Sequence, residues 1–101
     1  VTEDEGGQFF TKAIARHILV KTRQEAESLK TRLAQGEDFA VLARQFSLCN
    51  SGRRGGELGE VAPGQMVQAI DRAIFQLPEQ VVHGPIKTQF GFHLLEIKFR
   101  Y

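Results

Sequence analysis

Cysteine is nearly absent from this sequence: Cys49 is the one cysteine among 101 residues, so no internal disulfide can form. No apolar run approaches the length of about 20 residues that a membrane-spanning helix needs. Neither sign of charge dominates, because 13 lysines and arginines face 12 acids and leave a formal charge of +1. The sequence therefore gives no indication of a disulfide scaffold, a membrane span or a nucleic-acid-binding protein.

The length and composition predict a single domain. With 101 residues, 42% of them hydrophobic, the chain can bury one core but not two. Residues 1–12 contain three acids and a Gly6–Gly7 pair, a composition that favours a flexible leader or linker over an ordered element. The domain is therefore expected to comprise residues 13–101.

The first half of the chain reads as one strand followed by two helices. Residues 14–20 are β-branched at three positions and predict a strand with Ala15, His17 and Leu19 on one face. From residue 24 the apolar positions have helical spacing to about residue 35, after which Gly36 suits a left-handed C-terminal cap. Asp38 is typical of the N-cap of a second, short helix.

The second half predicts a loop, a strand, a helix and two more strands. Residues 47–60 hold four glycines and read as a long functional loop that closes into a strand at 57–61. After a turn at Pro63–Gly64, a third helix is predicted, with Phe75 off an apolar stripe formed by Met66, Ala69, Ile70, Ala73, Ile74 and Leu77. One further strand edge begins at Gly84–Pro85, and the alternation over residues 92–99 predicts a last strand that places His93, Leu95, Ile97 and Phe99 on one face. The order β-α-α-(loop)-β-α-β-β favours an α+β fold with an antiparallel sheet.

Three residues could carry chemistry: His17 and His93, each on the apolar face of a predicted strand, and Cys49 in the glycine-rich loop. Taken singly, each has a structural interpretation, because histidines on apolar faces are more often core residues than catalysts, and free cysteines are often small buried hydrophobes. Spacing alone therefore leaves catalysis as the minority interpretation.

Four blocks of sequence change that weighting. They are His17-Ile18-Leu19-Val20, Gly55-Gly56-Glu57-Leu58-Gly59, Gly64-Gln65-Met66-Val67, and Gly84-Pro85 with Thr88-Gln89-Phe90-Gly91-Phe92-His93. In order and spacing the sequence resembles the parvulin-type peptidyl-prolyl cis/trans isomerases (PpiC or rotamase family), over about residues 13–100. It looks most similar to the small bacterial parvulins, since Cys49 stands where many relatives carry aspartate.

The resemblance implies a four-stranded antiparallel sheet surrounded by helices, in which the first and last strands are central neighbours. It implies that these strands bring His17 and His93 together as cross-strand neighbours, in a catalytic hydrogen-bond network with Cys49 and Thr88. It also implies a proline-binding cleft formed or bordered by Leu58, Met66, Ile70, Phe75 and Phe90. Ile70 departs from the phenylalanine that the family commonly has there.

The function that the resemblance implies is acceleration of cis/trans rotation about X-Pro bonds in extended or unfolded polypeptide, without cofactor or metal. The expected partners are proline-containing peptides and unfolded proteins, with no nucleic acid and no membrane span, and the domain is expected to act as a monomer. Relatives that select phosphorylated serine or threonine before proline carry a long basic loop after the first strand, whereas this chain has only Lys21-Thr22-Arg23 before its first helix. No strict requirement for phosphorylated substrates is therefore expected. For Arg53 and Arg54, a solvated and structurally neutral role is the favoured interpretation, and contact with an acidic substrate is the minority one. The compartment is left open, with cytoplasm favoured and periplasm the alternative if the domain is cut from a longer exported protein.

Three other functions remain as alternatives. The first is a noncatalytic peptide-binding module of a larger chaperone, because the same cleft can hold a peptide without accelerating its rotation. The second is a zinc site formed by His17, Cys49, His83 and His93, although no two of these have the short spacing of structural zinc motifs. The third is a cysteine hydrolase built on Cys49 and His93, for which a domain this small offers little room.

Overall fold

The computed structural model describes residues 10–101, and its order of elements confirms the predicted α+β fold. A short 3₁₀ helix, Asn50–Arg54, lies in the loop between the second helix and the second strand. The strands are β1 (Ala13–Val20), β2 (Glu57–Val61), β3 (Val82–Thr88) and β4 (Gly91–Arg100), and the α-helices are α1 (Arg23–Ala34), α2 (Phe39–Phe46) and α3 (Gln68–Gln76).

The four strands form one antiparallel sheet in the order β2-β1-β4-β3, so the first and last strands are the central pair, as expected. A register shift marks a bulge near the end of this pair: Ala15 pairs with Ile97, whereas Ile14 pairs with Phe99. The extra residue in β4, Lys98, reverses the alternation of side chains beyond it. The prediction that Phe99 shares a face with His93 is therefore wrong.

The sheet separates two apolar cores. On one face, α1 and α2 pack against Ile18, Val20 and Leu94. On the other face, α3 packs against Ala15, Leu95 and Ile97 through the buried Ile70 and Ile74. Because side chains alternate along a strand, His17 and Leu19 lie on the same face as Ala15 and α3. The site is thus built on the α3 side of the sheet.

Local signals fix the helix ends. Thr22 accepts a hydrogen bond from the Glu25 backbone while the Glu25 side chain accepts one from the Thr22 backbone, which forms a capping box for α1. Gly36, at φ +100°, follows α1 in the predicted left-handed conformation. Asp38 caps α2 as predicted, since its carboxylate accepts from the Val41 N–H at 3.0 Å. Because α1 begins at Arg23, directly after the Thr22 cap, only Lys21 and Thr22 lie between β1 and α1.

The predicted leader, residues 1–12, lies largely outside the described residues, which begin at residue 10. The backbone N–H groups of Thr11 and Lys12 both donate to the Tyr101 carbonyl, at 2.7 and 2.9 Å, so this segment lies beside the last residue of the chain. Over residues 10–101, no helix is both long enough and apolar enough to cross a bilayer.

Candidate functional site

The structure brings His17 of β1 and His93 of β4 together on the α3 side of the sheet. Their Nδ1 atoms lie 3.1 Å apart, and their ring planes are inclined by only 17°. They are not opposite each other in the ladder, because His17 pairs with Leu95 and His93 pairs with Leu19. The histidines are diagonal cross-strand neighbours, and their rings meet edge to edge across the two central strands.

The outer nitrogen of each ring has a hydroxyl partner. Thr88 Oγ1 lies 2.7 Å from His93 Nε2, as expected, and Ser51 Oγ lies 3.1 Å from His17 Nε2. The expected hydrogen bond between Cys49 and the histidines is not formed: over residues 10–101 the thiol makes no hydrogen bond, and Ser51 takes that place beside His17. The result is a four-membered chain, Ser51–His17–His93–Thr88, which we call the histidine chain.

The histidine chain can carry its protons in two directions. A neutral imidazole has one N–H, and the short contact between the Nδ1 atoms requires a proton on one of them. If it belongs to His17, then His17 Nε2 accepts from Ser51 while His93 Nε2 donates to Thr88. If it belongs to His93, every donor and acceptor in the chain is exchanged. In both arrangements each of the four ring nitrogens has a partner.

Burial keeps both imidazoles neutral. His17 is 3% and His93 4% exposed. Burial, with a smaller contribution from the neighbouring His93, lowers the pKa of His17 from 6.5 to about 4, and burial also lowers the pKa of His93. Charging either ring would bring a positive charge into a poorly hydrated site next to another imidazole. At neutral pH the site therefore presents uncharged, hydrogen-bonded rings.

The 3₁₀ helix holds Ser51 against His17. The backbone N–H of His17 donates to the Gly56 carbonyl at 2.9 Å, and the Gly56 N–H donates to the Ser51 carbonyl at 2.8 Å. Gly56 has φ +86°, and a Cβ there would lie 2.4 Å from the His17 carbonyl oxygen. A residue without a side chain is therefore needed for this close approach of the loop to β1.

The histidine pair forms one wall of a small apolar cleft of about 220 Å³. Pockets for drug-sized ligands are usually about 300–1,000 Å³, so this one suits a single side chain or ring. A turn in which Gln65 bonds to Ala62 and Asp71 bonds to Gly64 leads into α3 and brings Met66 to the cleft. The other lining residues are Leu19, Cys49, Val67, Ile70 and Phe90.

The predicted cleft residues divide into two groups. Met66, Ile70 and Phe90 line the cleft; Ile70 is fully buried and Phe90 is 58% exposed. Met66 does so from the turn before α3, and not from the helical stripe on which we expected it. Leu58 and Phe75 instead pack against the core on the α3 side and are not among the residues that line the cleft.

Sequence reasoning missed Ser51, Leu19 and Val67 as parts of the site. Leu19 could have been found, since the alternation of β1 already places it beside His17. Val67 directly follows Met66 in one of the four sequence blocks quoted above. No periodic signal distinguishes Ser51 from its neighbours in the loop.

The zinc and hydrolase alternatives find no matching geometry. Over residues 10–101, no three His, Cys, Asp or Glu side chains gather in an arrangement suited to a metal ion. His83 of β3 has a different partner from the other two histidines, since its Nε2 lies 2.8 Å from the Pro78 carbonyl oxygen. Cys49 lacks the hydrogen bond to His93 that a cysteine nucleophile would use.

Comparison with known proteins identifies a matching family. Residues 12–98 match the rotamase family, described as the PPIC-type PPIASE domain. Over 87 residues the chain is 44% identical to the foldase protein PrsA of a Geobacillus species, covering 85% of the chain and 32% of that protein.

Solved structures agree. The crystal structure of the peptidylprolyl isomerase PrsA from Bacillus anthracis has a TM-score of 0.88 at 29% identity and covers 92% of this chain and 43% of its own. The solution structure of NmPin, the parvulin of Nitrosopumilus maritimus, has a TM-score of 0.79 at 35% identity over 90% of this chain and 98% of its own. By contrast with the latter, the chain spans about a third of the length of the PrsA relatives.

Proposed function

Because the chain belongs to the PpiC-type peptidyl-prolyl isomerase family, the parvulins, we propose that it accelerates cis/trans rotation about X-Pro bonds in extended or unfolded polypeptide. The observation that carries the proposal is the apolar cleft, sized for one ring, whose wall is a pair of neutral, hydrogen-bonded histidines. The foldase names of its relatives support the same isomerase or chaperone role.

The reaction requires rotation, not bond cleavage. The planar amide is held by resonance, with a barrier of about 18–20 kcal/mol, and the same resonance makes it strongly dipolar. In the twisted state that resonance is lost and the dipole falls. An apolar cleft, which solvates a dipole less well than water does, therefore disfavours the planar forms relative to the twisted one.

In this proposal the cleft residues have two roles. Met66, Ile70 and Phe90, joined by Leu19, hold the proline ring, while Leu58 and Phe75 support the cleft from the core behind it. The catalytic group comprises His17, His93 and Thr88 with Ser51, and their chain fixes the shape and polarity of the wall. Cys49 contributes a neutral thiol to the lining, and no nucleophile, metal or cofactor takes part.

Phosphorylated substrates are not required in this proposal. A long basic loop after the first strand is what phosphate-selective relatives have, and here Val20 is separated from Arg23 by only two residues, one of which is the helix cap. Proline-containing peptides and unfolded proteins are the proposed partners, and the domain acts as a monomer.

The test is NMR exchange spectroscopy on unphosphorylated Ala-X-Pro peptides with and without the purified protein, with chelator and without nucleotide. We expect exchange between the cis and trans resonances to accelerate in proportion to protein concentration. Peptides that shift resonances around residues 66, 70 and 90 without faster exchange would instead support the noncatalytic chaperone module. A phosphoserine peptide serves as comparison and should show no large advantage.

A further inference from the structure

Three exposed arginines lie in or beside the 3₁₀ helix that holds Ser51. Arg53 and Arg54 end the 3₁₀ helix, and Arg44 projects from α2 beside them. Arg44 Nη2 lies 3.8 Å from where a Cβ on Gly55 would be, so it approaches the residue that follows the pair. We call Arg44, Arg53 and Arg54 the arginine cluster.

The arginine cluster lacks acidic partners. In the part of the chain that the structure describes, none of its guanidinium groups forms an ion pair with a carboxylate; Arg54 Nη2 instead has a long contact, 3.5 Å, to the Glu57 carbonyl. The acid nearest to Arg54, Glu57, already pairs with Lys98 at 2.9 Å. A local excess of positive charge therefore exists on a protein whose formal charge is only +1.

The cluster is within reach of a peptide that occupies the cleft. Cys49 lines the cleft and immediately precedes the 3₁₀ helix that ends with the two arginines. A 3₁₀ helix rises about 2 Å per residue, so Arg53 begins roughly 8 Å from Cys49. An extended peptide advances about 3.3 Å per residue, so two or three residues of it span a distance of this size from the bound proline.

We propose that the arginine cluster binds carboxylate side chains of the client polypeptide close to its X-Pro bond, so that acidic segments are preferred substrates. This rests on the proposed isomerase function and names its substrate class. Guanidinium groups suit the task because their fixed donor fork matches the two oxygens of a carboxylate. Their exposure means that the preference is moderate and sensitive to salt.

The experiment compares matched peptides that have Glu or Gln two and three residues on either side of the proline. We expect kcat/KM from NMR exchange to be roughly three- to tenfold higher for at least one Glu peptide, the size that two exposed ion pairs would give. The ratio should fall toward one as salt is raised to about 1 M, where the screening length is about 3 Å.

A double variant, Arg53→Gln with Arg54→Gln, should bring the Glu/Gln ratio close to one. The control, Arg23→Gln with Arg72→Gln, removes an equal number of positive charges, from α1 and α3, and should keep the wild-type Glu/Gln ratio. Because each ratio is taken on a single protein, a general loss of activity cancels. A ratio of one in the wild type, or equal ratios in both double variants, would overturn the inference.

Two further outcomes separate the possible failures. Phosphoserine peptides accelerated above their serine counterparts, with no effect of Glu, would overturn the assignment of carboxylates. Absence of catalysis on every peptide would defeat the proposed function, and the charge inference would then be decided by the dissociation constants of the Glu and Gln peptides from the same NMR titrations.

Discussion

The two histidines of the site are buried, and their protonation therefore opposes folding. A group whose pKa is lower in the folded than in the unfolded chain binds its proton first in the unfolded state, so stability rises with pH between the two values. For His17 the window runs from about 4 to 6.5, and the full contribution is present above it. As the pH falls through this window, we expect the free energy of unfolding to decrease by roughly 3 kcal/mol, because the unfolded chain takes up a proton on His17 that the folded chain does not. Urea unfolding at pH 4.5 and 7 should show a larger loss for the wild type than for His17→Gln, and equal losses would contradict this.

The hydroxyl of Ser51 can be separated experimentally from the thiol of Cys49. Ser51→Ala leaves His17 Nε2 buried without a partner and should destabilise the fold by about 1–3 kcal/mol. It should also move the ¹⁵N shifts of the His17 imidazole, whereas Cys49→Ala, whose thiol lies outside the histidine chain, should leave those shifts near their wild-type values. Cys49→Ala shifts as large as those of Ser51→Ala would return the cysteine to the network.

The difference between these two residues marks how far sequence reasoning reaches at the residue scale. The resemblance, and not the spacing, implied that His17, His93 and Thr88 share hydrogen bonds, and the structure places their side chains within hydrogen-bond distance of one another. In the loop no period applies, and the 3₁₀ turn, joined to β1 through Gly56, places Ser51 rather than Cys49 at hydrogen-bond distance from His17. Tertiary contacts decide which of the two residues bonds to His17, and the spacing of residues in the sequence does not reveal it.

At the scale of elements, the loop and β1 meet through a glycine that tolerates no side chain. Gly56→Ala would place Cβ 2.4 Å from the His17 carbonyl oxygen, while Gly59, also at positive φ (+72°), has nothing within 4 Å of a Cβ. Gly59→Ala should therefore cost only the backbone strain, about 1 kcal/mol. Gly56→Ala should cost at least about 2 kcal/mol more and slow isomerisation, because Ser51 moves with the loop. Urea unfolding and NMR exchange check both, and similar behaviour of the two variants would show that the contact is not rigid.

Most elements, but not all, could be predicted from local patterns. β2 spans residues 57–61, the strand into which the glycine-rich loop was predicted to close, and Gly36 and Asp38 marked the adjoining ends of α1 and α2 correctly. The 3₁₀ helix and the bulge at Lys98 could not, because neither has a period or a characteristic residue. The bulge becomes apparent only when β1 and β4 are paired, and the 3₁₀ helix is joined to β1 through the hydrogen bonds of Gly56 to Ser51 and His17.

At the scale of the whole molecule, the sheet isolates the site from one of the two cores. The core beneath α1 and α2 lies on the face opposite to the cleft, whereas the α3 core adjoins it through Ile70. The resemblance implied that β1 and β4 are central, and this pairing is what places both histidines over the α3 core. Stability and peptide binding should therefore separate according to which face of the sheet is altered.

Three truncations test this separation: Leu42→Ala in the core under α1 and α2, Ile74→Ala in the α3 core, and Ile70→Ala, which belongs to the α3 core but also lines the cleft. Each removes a side chain that is at most 1% exposed, so each should lower the free energy of unfolding by about 2–5 kcal/mol. At a temperature where all three remain folded, only Ile70→Ala should weaken binding of a proline peptide, by several-fold in the dissociation constant from NMR titration.

Ile70→Val provides a milder change at the same position if the alanine variant does not fold. Ile74 is the strict control, because it is the same residue type in the same helix and core. If Ile74→Ala or Leu42→Ala weakened the peptide as much as Ile70→Ala, the cleft would depend on the packing of the whole domain and not on the residues that line it.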